Sequence, residues 1–183
     1  MSNRRNTRPS GAQRRSPRRT LSTSDYKEGI QQADKILRKN NVLPLDENWQ
    51  ETVIEWFTTE GIERKALITY IEEHQEALDT TWAREMLRME VFFQFDDRHM
   101  VIDHYNRVLS RYPLCAVLEL WVADQISRYQ GDFWCARPMY QYVQAQIPQH
   151  PKPYYELGFM NYLVGNLAGA VEQFNRAVER IGE

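Results

Sequence analysis

The chain has 183 residues, enough for one domain with appendages, and its 42% hydrophobic content and five tryptophans suffice for a real core. No apolar run approaches the roughly 20 residues needed to span a bilayer, and eight glycines and eight prolines with little alternation argue against a β-rich fold. The net charge of -2 hides a split: residues 1–24 hold seven arginines and no acid, while the remainder holds 16 basic against 25 acidic residues, a net of -9.

The first segment, "MSNRRNTRPSGAQRRSPRRTLSTS", has almost no apolar residues and buries too little surface to offset its ordering entropy. It reads as a disordered tail, residues 1–24. It lacks the apolar stretch of a secretory signal. It is poor in acid and rich in Arg and Ser, as organelle transit peptides are, but shows little helical amphipathicity; the expected location is cytoplasmic. Arg4, Arg5, Arg8, Arg14, Arg15, Arg18 and Arg19 suit phosphate backbones of nucleic acid, an anionic surface, or the protein's own acidic body. With no aromatics for stacking, base-specific readout is not expected. "RRSPRRTLS" also has the form of a basic-directed kinase site at Ser16, Thr20 or Ser22.

Order is expected from Ser24 or Asp25, either of which can cap a helix. Tyr26, Ile30, Ala33 and Leu37 share one stripe at helical spacing. Asn40, Asn41 and Pro44 stop this N-terminal helix, residues 25–41. It is short and one-sided, and needs a surface to lie on.

From residue 47 onward the chain repeats. A turn position falls at Gly61, Asp96, Gly131 and Gly165. Five residues later come Ala66, Val101, Ala136 and Ala170, and four later again Tyr70, Tyr105, Tyr140 and Phe174. All three series step by 35, 35 and 34 residues. Pro113 and Pro148 close two of the units. Each unit, 47–81, 82–116, 117–150 and 151–183, reads as helix, tight turn, helix. A pair that small cannot bury its apolar face alone, so neighbours must stack.

The last unit resembles a tetratricopeptide repeat at Tyr154, Leu157, Gly158, Ala170, Phe174 and Ala177, with Asn161 where tyrosine is usual. The third keeps Ala136, Tyr140 and Pro148 but has Asp124 in place of the packing glycine. The second keeps Tyr105 and Pro113 and substitutes Val101; its first helix is about one residue short. The first, with Trp49, Trp56, Gly61, Ala66 and Tyr70, follows by register. The resemblance implies an all-α, right-handed solenoid of about four helix pairs. Small residues at Gly158 and Ala170 would let paired helices approach, Phe174 and Tyr140 would fill the gap to a neighbouring unit, and Gly131 and Gly165 suit left-handed helix ends. Pro138, past the first turn of its helix, predicts a distorted or late start.

No catalytic set emerges. His74, His99, His104 and His150 are scattered; His99 and Asp103 share a helix face but have no third metal ligand in the pattern. There is no phosphate-binding glycine loop and no nucleophile elbow. Cys115 and Cys135 form no CxxC pair and read as reduced core thiols. The expectation is a protein that is not an enzyme and has no cofactor or metal.

The resemblance places a concave groove along the first helix of each unit. Its lining would be Gln50, Ile54 and Phe57; Leu87, Val91 and Gln94; Trp121, Gln125 and Arg128; Tyr155, Phe159 and Tyr162. Such a wall suits an extended peptide or an amphipathic helix of a protein partner, unless the aromatics pack between helices or the N-terminal helix fills the groove. The family's lysine and asparagine clamp for a terminal carboxylate is not carried over. Tyr154, Phe159, Phe174 and Val178 form a side that a following unit would cover, which points to self-association or partner docking there. The sequence supports an adaptor or assembly-factor scaffold, with a nucleic-acid-associated regulator or a small chaperone for secreted substrates as the other readings.

Overall fold

The computed structural model describes residues 21–94, 98–109, 111–129 and 131–181. The arginines from Arg4 to Arg19, and the expected disorder around them, lie outside the described residues. Among the described residues every regular element is helical. α1 spans Thr23–Lys39, α2 Trp49–Thr59, α3 Arg64–Glu73, α4 Thr80–Gln94 and α5 Arg98–Leu109. α6 spans Ala116–Asp124 and runs on into a π-helical turn, Gln125–Tyr129. α7 spans Phe133–Gln146, α8 Pro151–Leu163 and α9 Leu167–Ile181. The pairs α2–α3, α4–α5, α6–α7 and α8–α9 each make contact, as helix–turn–helix units must. No described helix is long and apolar enough to cross a membrane.

Three turns use the glycines expected of them. Gly61, Gly131 and Gly165 stand at φ of +85°, +63° and +78°, a left-handed backbone that side chains other than glycine's adopt only with strain. Two local expectations need correction. Helix α1 begins at Thr23, capped by Ser22 and not by Ser24 or Asp25. Ser22 Oγ accepts from the Asp25 amide at 3.1 Å, and the Asp25 carboxylate accepts from the Ser22 amide at 3.3 Å, a reciprocal box that satisfies two orphan donors. Helix α7 does not start late. Asp132 caps it by accepting from the Cys135 amide at 3.1 Å, and Pro138 lies inside the continuous helix.

Helix α1 packs on α4. Ala33 and Leu37 are buried. Arg88 donates to both oxygens of Asp34, from Nε at 2.7 Å and from a terminal nitrogen at 2.6 Å, and to Glu85 at 2.6 Å. His104 is fully buried behind this contact. Its Nε2 is 2.9 Å from the Glu85 carbonyl, which can only accept, so Nδ1 accepts from the Tyr26 hydroxyl at 2.9 Å. Burial lowers the His104 pKa and holds the ring neutral.

The packing between pairs is not strictly nearest-neighbour. α2 touches α4, but α3 touches α6 of the third pair. Across the same gap Phe57 of α2 meets Trp121 of α6 edge-on, ring centroids 5.1 Å apart. In a linear stack each repeat meets only its neighbours; here the first three pairs curl until the first reaches the third.

Candidate functional site

The curl decides what the groove can be. Ile54, Phe57, Leu87, Val91 and Trp121, expected on the groove wall, are all buried, at 9% exposure or less. They pack between helices and offer no free surface to a partner. Part of the reason is register. In the third unit Trp121, Gln125 and Arg128 precede Tyr140 by 19, 15 and 12 residues, and in the fourth Tyr155, Phe159 and Tyr162 precede Phe174 by the same offsets. Applied to Tyr105, the offsets give Met86, Glu90 and Phe93; applied to Tyr70, they give Glu51, Glu55 and Thr58. The expected residues of the first two units stand one position away. One residue turns a helix by about 100°, which separates buried Ile54 from exposed Glu55 in the first unit, but in the second Met86 and Glu90 are buried as well. The repeat aromatics were the signal that would have found this. Gln50 and Gln94 share the slip and are exposed.

The corrected line is acidic early and aromatic late. Glu51 and Glu55 are exposed. Glu90 is buried, one oxygen accepting from Gln94 Nε2 at 2.6 Å and the other without a partner. Burial raises its pKa, and Glu60 nearby raises it further. Phe93 packs edge-on against Trp121 at 5.1 Å, so Trp121 is held between Phe57 and Phe93.

Beside Trp121 opens a cleft of about 550 Å³ between the α2–α3 turn, α6 and the start of α8. Ile62, Leu120 and Ile147 make it apolar, while Glu60, Glu63 and Asp124 supply negative charge. Lys152 and His150 lie on the α8 side. Lys152 donates to Asp124 Oδ2, and its pKa is lowered by burial despite Glu156 nearby. The other Asp124 oxygen accepts from the Tyr140 hydroxyl at 2.7 Å, and Ser127 Oγ lies 2.9 Å from that hydroxyl. The π-helical turn after Asp124 carries Gln125, Ser127 and Arg128. Such insertions into an α-helix re-aim the side chains that follow. Arg128, more than half exposed, donates to the buried Glu156 at 2.8 Å. Gln125 is half-buried.

Along α8 the expected line brings aromatic side chains to the surface. Tyr155 and Tyr162 are 53% and 58% exposed. Phe159, between them, is half-buried against Phe133, centroids 6.1 Å apart. Tyr154, expected on an open side, is buried instead. Its hydroxyl donates to the Pro148 carbonyl at 3.0 Å and the Arg180 guanidinium lies 4.0 Å over its ring. Phe174 packs at a tilt against Tyr155 within its own unit, centroids 5.6 Å apart.

Among the described residues no three His, Cys, Asp or Glu side chains gather as metal ligands. Asp103 pairs with Arg107 at 3.0 Å, and the His99 side chain lies outside the described part. Cys115 is buried, its pKa pushed up to about 11 by burial. Cys135 is half-buried rather than in the core. Set against family models, curated proteins and solved structures, the chain matches none.

Proposed function

We propose that this protein is a non-enzymatic scaffold of tetratricopeptide-like pairs, a short right-handed solenoid, that holds a segment of a protein partner during assembly of a larger complex. The binding line runs from the acidic cleft beside Trp121 along the exposed side of α8. The observation that carries the reading is the contrast along that line: Trp121 is sealed, while Tyr155, at the same position of the next unit, and Tyr162 remain more than half exposed. Tyrosines supply large, stiff contact area at small entropy cost, which favours them in binding surfaces. The exposed acids Glu60 and Glu63 at one end and the tyrosines at the other fit a segment that pairs a cationic residue with apolar anchors.

Selection from a displayed peptide library against the full chain tests this. Selected peptides should join Lys or Arg to aromatic or aliphatic residues. Tyr155→Ser with Tyr162→Ser should weaken them at least about tenfold, a loss of about 1.4 kcal/mol, and Glu60→Lys with Glu63→Lys should weaken the cationic ones selectively. Failure to select any peptide, or binding unchanged in the tyrosine double variant, refutes the reading.

A further inference from the structure

The outer face of α9 is a second surface, adjoining the line along α8 at Tyr155. Leu167, Val171, Phe174, Val178 and Ile181 recur at intervals of four, three, four and three residues, the spacing that keeps one apolar seam facing a partner helix. Four of them are exposed by 61%, 59%, 68% and 73%, in the order Leu167, Val171, Val178, Ile181. Phe174, half-buried, joins the stripe to Tyr155. Ala170 and Ala177, roughly 70° round the helix from the middle of the stripe, are buried against α8. The helix thus has one broad apolar face, and only its Ala170–Ala177 edge is covered by described residues.

We propose that this face docks a second copy of the same chain, α9 against α9, in a two-fold symmetric dimer. Charge favours a like partner here. The body of the chain carries a net of -9 from residue 25 onward, so two copies repel over most of their surface. Helix α9 is the exception, with Glu172 and Glu179 balanced by Arg176 and Arg180. Arg176 pairs with Glu172 at 2.8 Å within the helix, so the stripe asks no countercharge of its partner. A strongly basic partner would find no acidic field on this face, whereas an identical neutral seam meets no repulsion.

Area agrees with a stable dimer. The stripe with Tyr155 presents on the order of 500 Å² of apolar surface, a size that marks interaction surfaces on soluble chains and matches the apolar share of one side of a standard interface. A two-fold axis makes the contact isologous, so each copy buries its own stripe in the other's and assembly stops at two.

Sedimentation equilibrium of the full chain, from about 1 to 100 µM, tests the proposal. Wild type should be dimeric in the upper range. Val178→Lys should be monomeric there, its dimer weakened about 100-fold or more, with helix content and urea midpoint unchanged because the residue is exposed. Ile181→Lys, in the last turn, repeats the test should Val178→Lys lose helix content. A wild type that stays monomeric throughout overturns the proposal, and so does a dimer that survives both variants. A monomer that instead captures a different protein through Val178 also overturns it and assigns the face to that protein. Because Tyr155 borders both surfaces, peptide binding is read on the monomeric Val178→Lys variant, so failure of the dimer and failure of the α8 binding line are distinguishable.

Discussion

Tyr140 reaches Asp124 across the third helix pair, its hydroxyl donating to the carboxylate at 2.7 Å. The same two positions in the last pair hold Phe174 and Gly158, 34 residues on. There the ring lies so close that a Cβ on Gly158 would stand 2.8 Å from it. One pair closes by excluding a side chain, the other by bonding one. The polar solution brings Ser127 and Lys152 with it, because a buried carboxylate must be satisfied.

Tyr140→Phe should therefore cost more than a neutral hydrogen bond. It leaves Asp124, 9% exposed, with one donor fewer in a dry site, at about 1.5–3 kcal/mol. Urea denaturation reads this. Lys152→Met in the same background should be strongly non-additive, since both groups serve one carboxylate.

Gly158→Ala tests the apolar solution. Helix propensity alone would favour alanine by roughly 0.5–1 kcal/mol. The added methyl would meet Phe174 at 2.8 Å and the Ala170 carbonyl at 3.3 Å, and overpacking costs about 1–3 kcal/mol. The net should be a lower melting temperature, partly recovered by Phe174→Leu. A Gly158→Ala variant that melts higher than wild type would show that the ring swings away freely.

Glu119 makes stability depend on pH. Burial raises its carboxyl pKa to about 7, above its unfolded value. Below the unfolded pKa both states hold the proton and nothing is lost. As pH rises through the interval up to about 7, the unfolded chain gives up the proton while the folded chain keeps it, so stability falls; above about 7 the penalty is complete. Glu119→Gln should thus be neutral near pH 4 and stabilising by a few kcal/mol near pH 8. A stability difference between the two proteins that does not change with pH would refute this assignment.

The Arg88–Asp34 pair holds α1 to α4 through two parallel bonds, and Arg88 is only 11% exposed. Asp34→Ala should leave a shielded guanidinium short of acceptors, at about 1–3 kcal/mol. The loss should be local: hydrogen exchange ought to quicken in α1 amides while α8 and α9 stay protected. Arg88→Lys should behave similarly, since lysine cannot reproduce the fork.

Helix positions were largely legible from sequence because the turn chemistry is local. Gly61, Gly131 and Gly165 take the left-handed backbone that their spacing requires, and Ala136 and Ala170 are buried where pairs meet. The burial of the expected groove line was not legible. Tyr140 and Phe174 anchor its register in the last two units, yet Trp121 there is sealed; in the first unit a one-residue slip separates buried Ile54 and Phe57 from exposed Glu51 and Glu55. Neither the contact of α3 with α6 nor the π-helical turn has a local signature, since both depend on how far the stack curls. The cap at Ser22 was missed in favour of Ser24 and Asp25, although Asp25 three residues on completes the box.

The meeting of Phe57 with Trp121 sets a rule for how this array can change length. A pair inserted between the first and the third would have to prise those rings apart and expose the core around them, Phe93 included. A pair added next to α9 would meet an apolar seam already spaced for a helix. The first three pairs are thus tied by contacts that skip a neighbour, whereas among the described residues α9 leaves a seam that a further helix could cover.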